Sequence, residues 1–95
     1  MPMQVTVRFY SILRDVIGKS KVYTLSAGVN VRQLLEILIM AHGDTVKDFL
    51  YTDYGRLNGS ITILVNGVNV NHVDQLKTLL HDDDTVYLLP PVGGG

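Results

Sequence analysis

Between Asn30 and Gly43 the sequence carries one strongly amphipathic helix, and that helix sets narrow limits on the fold. Val31, Leu34, Leu35, Leu38, Ile39 and His42 recur at the i, i+3, i+4, i+7 spacing that gathers side chains on one helical face. Asn30 stands where an N-cap is needed, with Gln33 three residues on in the place where a capping box takes Glu or Gln. Gly43 closes the helix as a C′ glycine. A lone amphipathic helix has one apolar face to bury, so the rest of the chain must supply the surface that covers it.

That surface reads as sheet. Gln4 to Tyr10 alternates, with Val5, Val7 and Phe9 on one face and Thr6, Arg8 and Tyr10 on the other, the pattern of a half-buried strand. Ser11 to Ser20 breaks the alternation, with Gly18 as a turn signal, and Lys21 to Leu25 returns as a second strand in a hairpin with the first. Residues 44–60 are hard to read beyond a helical turn around Val46, Phe49 and Leu50. Ile61 to Val65 is an apolar strand, and Asn66-Gly67 is a two-residue hairpin turn whose central residues both need positive φ. Val68 to Val70 returns, His72 to Leu80 forms a short helical or irregular turn, and Thr85 to Leu89 is the last strand. Pro90-Pro91 ends it, because proline has no N–H for a ladder. One helix can cover one face of such a mixed sheet, which predicts a two-layer α+β domain. The first and last strands are the most apolar and belong side by side in its middle. That arrangement is the ubiquitin-like β-grasp, a mixed sheet packed on one main helix.

Composition removes several function classes. The chain has 95 residues, enough for one domain with a modest core. There is no cysteine, which excludes disulfides, thiolate catalysis and Cys-type zinc or iron–sulfur sites. A net charge of −1 without a basic stripe predicts no nucleic-acid partner. No stretch reads as a signal peptide or a membrane span, so a soluble, cytoplasmic protein with no membrane partner is expected.

The remaining informative segment is the end of the sequence. Residues 1–89 read as the folded domain and 90–95 as a flexible C-terminal tail. Pro90 and Pro91 favour an extended exit from the last strand. Val92 leads into Gly93, Gly94 and Gly95, which carry no Cβ and can pass where other residues clash. Gly95 offers an α-carboxylate, which reacts with a nucleophile only after conversion to a species with a good leaving group, as adenylation with ATP provides. A slender tail suits threading into a narrow, water-excluding site on a partner. Terminal glycines alone are usually a frayed end or a linker remnant; their position directly after an apolar strand and two prolines is what makes a unit of them.

Three stretches carry a family resemblance: Val7 to Asp15, Asn30 to Leu35, and Asp82 to Gly95, with the Leu64-Val65-Asn66-Gly67 hairpin in keeping. The chain resembles the MoaD/ThiS group of ubiquitin-like sulfur carriers, which comprises the small subunit of molybdopterin synthase and the thiamine-pathway carrier. The Pro-Pro-Val-x-Gly-Gly ending favours the molybdopterin branch. The resemblance implies that a ubiquitin-activating-type enzyme adenylates Gly95, with Gly94 before it in the threaded arm, and that a sulfur donor then converts the terminus to a thiocarboxylate. It implies a second partner, the large subunit of molybdopterin synthase, which would meet the sheet at Tyr10 and Leu89. The chain would be the carrier subunit of a sulfurtransferase rather than an enzyme alone, with no tightly bound cofactor; ATP serves the activating partner. The same adenylate would equally serve a protein modifier joined through Gly95 to lysines, and a β-grasp interaction module with an inert tail is the third alternative. Two departures stand out. The family often writes Asp-Gly-Asp where this chain has Asp82-Asp83-Asp84, which suggests a different turn, and Gly93 stands where many members have Ala or Thr.

Other residues offer less. Tyr10, Tyr87 and Leu89 share the parity opposite to Phe9, Val86 and Leu88 and should face away from the helix, where an apolar cluster would suit a partner. Pro90, Pro91, Val92 and Gly93 would extend that contact. His42, His72 and His81 lack metal-ligand spacing, and His42 near the helix end is expected to interact with its dipole. Asp82 to Asp84 reads as a solvated turn, since no further oxygens follow at the spacing of a calcium loop.

Overall fold

The computed structural model describes residues 2–72 and 74–90. Five strands form one sheet: β1 (Pro2–Phe9), β2 (Ser20–Ser26), β3 (Thr62–Val65), β4 (Val68–Asn69) and β5 (Thr85–Leu89). Their spatial order is β2-β1-β5-β3-β4. β1 and β5 run parallel in the middle, with Thr6 opposite Thr85 and Phe9 opposite Leu88, and the remaining pairs are antiparallel. The expected β-grasp is therefore present, with its first and last strands central.

The main helix, α2 (Val31–His42), forms where the periodicity places it. Asn30 Oδ1 accepts the Gln33 N–H and Gln33 Oε1 accepts the Asn30 N–H, both at 2.9 Å, so the capping box is complete. Gly43 takes φ +82 and donates its N–H to the Ile39 carbonyl, a conformation that L side chains rarely adopt. Val31, Leu34, Leu35 and Leu38 are fully buried against Val5, Val7 and Phe9 of β1, Ile63 of β3, and Val86 and Leu88 of β5. Each such side chain contributes roughly 1.5–3 kcal/mol relative to remaining in water.

Two expectations need correction, and the expected helical turn around Val46, Phe49 and Leu50 is a full helix. Ser11 to Ile17 is a helix, α1, not an irregular break. It has no side-chain cap, opens on Ser11 at φ +56, and buries Leu13 alone, so it carries little periodic signal. A further helix, α3 (Asp44–Leu50), follows Gly43 directly and buries Val46 and Leu50. The strand after Asn66-Gly67 ends at Asn69, and Val70 begins a 3₁₀ turn. The hairpin turn itself is as expected, with Asn66 at φ +52 and Gly67 at +87.

The acidic corner differs in part from its expected character. Asp82 and Asp83 are exposed turn residues, as expected, but the turn is also a hydrogen-bonded junction that buries Asp84. Asp82 Oδ1 accepts the Gln4 N–H at 2.8 Å, and the Asp83 N–H donates to the Gln4 carbonyl at 2.8 Å. Asp83 takes φ +67, so an aspartate holds the left-handed conformation that a glycine would adopt more easily. Asp84 is only 9% exposed; its Oδ1 accepts from Asn66 Nδ2 and its Oδ2 from the His81 N–H, both at 2.8 Å. Asn66 Oδ1 in turn accepts the Thr85 N–H at 2.9 Å. The corner thus ties β1, the β3–β4 hairpin and the start of β5 together.

His42 also has a partner other than the helix dipole. Its Nε2 lies 2.8 Å from Tyr23 Oη, with the rings edge to face. Burial pushes the Tyr23 phenol up, which keeps it protonated as the donor, so a neutral imidazole accepts. Burial, and then the Lys21 ammonium, hold His42 below its ordinary range. The folded protein therefore binds fewer protons at His42 than the unfolded chain. The resulting stabilisation is complete above the unfolded value of about 6.5 and is lost as pH falls through the lower folded value. Thermal melts across roughly pH 5–8 should show Tm falling on acidification, and His42→Gln should flatten that slope. Asn66→Ala and Asp84→Ala should each cost about 1–3 kcal/mol in urea unfolding, and the double variant less than their sum, because both remove the same bond.

Candidate functional site: the open sheet face at the end of β5

The sheet covers α2 with one face and leaves the other open. On β5, Val86 and Leu88 point into the core, so Thr85, Tyr87 and Leu89 take the open face and are half-buried. On β1 the same parity brings out Thr6 and Arg8. On β3 it brings out Thr62 and Leu64, both half-buried. Register aligns them into rows: Arg8 beside Tyr87 beside Leu64, and Leu89 beside Thr62. A Tyr-Leu-Leu cluster framed by threonines, with Arg8 at its side, occupies the middle of this face.

Of the residues expected on this face, Tyr87 and Leu89 lie together on it. Tyr10 lies one residue past the end of β1, still extended at φ −136 and ψ 162, and is half-buried. Because β1 and β5 are parallel and Phe9 pairs with Leu88, Tyr10 and Leu89 leave the sheet at the same end. Pro90, half-buried, is the last described residue of that exit. Pro91, Val92, Gly93, Gly94 and Gly95 lie outside the described residues. Leu64 and Thr62 were missed in the sequence, although counting parity from the buried Ile63 would have found them.

The histidines do not come together with this face. His42 bonds Tyr23, and His81 Nδ1 stands 3.9 Å from Asp84 Oδ2 within the acidic corner. Among the described residues no three His, Asp or Glu side chains converge as metal ligands would. A separate open groove of about 750 Å³ runs between α2 and α3 and the turn after α3; Arg32, Glu36, Lys47, Asp48 and Tyr51 are among its lining residues. Its charges are mixed, and Arg32 Nε lies 3.6 Å from Glu36 Oε1 in an exposed pair of the kind that contributes little to stability. Burial, and then Glu36, push the Tyr51 phenol up while Arg32 opposes them. Among the described residues no helix is long and apolar enough to cross a membrane.

Comparison with known proteins agrees with this architecture. The model of the ThiS family matches residues 7–95. Small archaeal modifier protein 3 of Haloferax volcanii is 33% identical over 94 residues, covering 98% of this chain and all of that protein. The solution structure of small archaeal modifier protein 1 from Methanosarcina acetivorans superposes with a TM-score of 0.84 at 31% identity, covering all of this chain and 99% of that one. A Pyrococcus furiosus protein assigned as subunit 1 of a molybdopterin converting factor superposes with a TM-score of 0.75 at 26% identity, over 95% of this chain and 99% of that one. The fold, the open face beside the C-terminal exit and the match from Val7 to Gly95 place the chain in the ThiS family of ubiquitin-like sulfur carriers and modifiers.

Proposed function

We propose that this chain is a sulfur carrier that works through Gly95 as the small subunit of a molybdopterin synthase. The Gly95 carboxylate attacks the α-phosphate of ATP on a ubiquitin-activating-type enzyme, and pyrophosphate leaves. Hydrosulfide released by a sulfur donor then attacks the acyl carbon, AMP leaves, and a terminal thiocarboxylate results. The carrier delivers that sulfur to a pterin precursor in the large subunit. The observation that carries the reading is the exit of β5 from the middle of the sheet beside Tyr87, Leu89 and Leu64. A partner that grips this face holds the root of the tail, so the six residues from Pro90 to Gly95 reach up to about 20 Å into its catalytic site. The likeness to the molybdopterin converting factor subunit supports the choice of pathway.

A second reading has its own support. The 33% identity to a small archaeal modifier protein over nearly the whole chain favours a modifier, in which a lysine amine attacks the same adenylate and forms an isopeptide. The two readings share every step up to the adenylate and part at the nucleophile.

Incubation with the activating enzyme of the same organism, ATP and a sulfur donor should add the mass of one oxygen-to-sulfur exchange at Gly95. A terminus that stays a carboxylate under those conditions, together with cellular lysines that carry the peptide of residues 78–95 in isopeptide linkage after trypsin, would establish the modifier instead. Deleting Gly94 and Gly95 should abolish either product while leaving Tm nearly unchanged; full activity after that deletion would leave an interaction module with an inert tail. Tyr87→Ser should weaken binding to the large subunit about tenfold or more in calorimetry, as loss of an interface aromatic does, with little loss of fold stability.

A further inference from the structure

The two edges of the sheet are unequal. β4 has two residues, too short to template another strand. β2 has seven, contains no proline, and among the described residues pairs on one side only, with β1. The backbone groups it presents outward follow from the ladder. In an antiparallel pair, residues that exchange both hydrogen bonds alternate with residues whose N–H and C=O point away. The Phe9 N–H donates to the Lys19 carbonyl at 2.9 Å, and Lys19 continues the register in which Val7 faces Lys21, Val5 faces Tyr23 and Met3 faces Leu25. Lys19, Lys21, Tyr23 and Leu25 therefore turn their backbone groups toward β1. Ser20, Val22 and Thr24 turn theirs toward the free edge. Further along, the Ser26 carbonyl is taken by the Val29 N–H.

We propose that two copies of this chain associate through β2, antiparallel and related by a two-fold axis at Val22, to make one continuous sheet. The sequence of the edge is self-complementary about that residue. With Val22 opposite Val22 of the second copy, Ser20 falls opposite Thr24, and all three outward residues exchange donor and acceptor with the partner strand. On the helix-side face the same register sets Lys21 opposite Tyr23 of the second copy and keeps the two Lys21 ammonium groups from facing each other, an arrangement open to cation–π contact. On the open face the two Val22 side chains meet; Val22 is 56% exposed in the single chain, so pairing removes apolar surface from water. A two-fold contact of this kind closes on itself as a dimer. β1 separates this edge from β5, so Leu89 and Pro90 are not covered. One strand pair buries well under ~1,200 Å², which sets the association in the weak, reversible range.

Val22→Pro tests the pairing cleanly, because the Val22 N–H points away from β1 and its loss breaks no bond within the chain. Val22→Asp is the second variant, harmless in the monomer and repulsive at the two-fold axis. Sedimentation of the full chain between roughly 10 µM and 1 mM should show the wild type rising from one chain mass toward two, while both variants stay at one with wild-type circular dichroism. Over the same range, amide exchange at Ser20, Val22 and Thr24 should slow severalfold, and that at Lys21 and Tyr23, already bonded to β1, should change little. A wild type that remains a single chain at millimolar concentration overturns the proposal. So does association that survives both substitutions or leaves the Ser20, Val22 and Thr24 amides unprotected, outcomes that point to another surface.

Discussion

The structure depends on bringing two strands from opposite ends of the sequence together in the middle of the sheet. Parallel pairing of β1 with β5 cannot be arranged by a hairpin; the chain must return across its whole length. The acidic corner is what fixes that return. Asp82 and Asp83 clamp both backbone groups of Gln4, 78 residues away from the first of them, and the Thr6 N–H donates to the Asp84 carbonyl at 3.0 Å. Register along β5 is thus set at its start by one side-chain bond, from Asp82, and two backbone bonds, at Asp83 and Asp84. The side-chain end of the junction, Asp84 with Asn66, joins the β3–β4 hairpin to the same point. One short segment therefore positions the three strands that make up the open face.

α2 depends on this arrangement from the other side. Its first turn is held by the capping box and by the Val31 N–H, which donates to the Thr78 carbonyl at 2.9 Å. Leu80 donates to the Val29 carbonyl at 3.0 Å. The segment that leads into the acidic corner is therefore also a short strand-like brace for the helix start, seen in the Asn30–Leu79 bridge. Helix and last strand are positioned by the same few residues, which explains how a domain with a modest core keeps a defined direction for its C-terminal exit.

Much of this was legible in the sequence, and the parts that were not share a physical reason. α2 was readable because its cap, periodicity and closing glycine agree over twelve residues. Asn66-Gly67 was readable because few residues tolerate its backbone. α1 was not, because a seven-residue helix that buries one side chain leaves no pattern. The turn after α3 is held by the Tyr54 and Arg56 N–H groups, which donate to Thr52 Oγ1, and by the Tyr51–Leu57 bridge, which composition does not announce. Asp83 at positive φ runs against the expectation for a non-glycine residue, and it is tolerated where neighbouring hydrogen bonds fix the backbone. Of the candidate site, strand parity gave Tyr87 and Leu89 directly. Parity also puts Arg8, Leu64 and Thr62 on that face, but which of them neighbour Tyr87 and Leu89 is set by the register of three strands.

The parallel central pair also decides how the domain bears force. A load applied between Pro2 and Pro90 pulls at the start of β1 and at the end of β5, strands that lie side by side and run the same way. Their hydrogen bonds are then strained together, in shear, rather than one after another as when a hairpin is peeled open. A pull on the C-terminal exit against the start of β1 is therefore shared by all the bonds of the central pair at once.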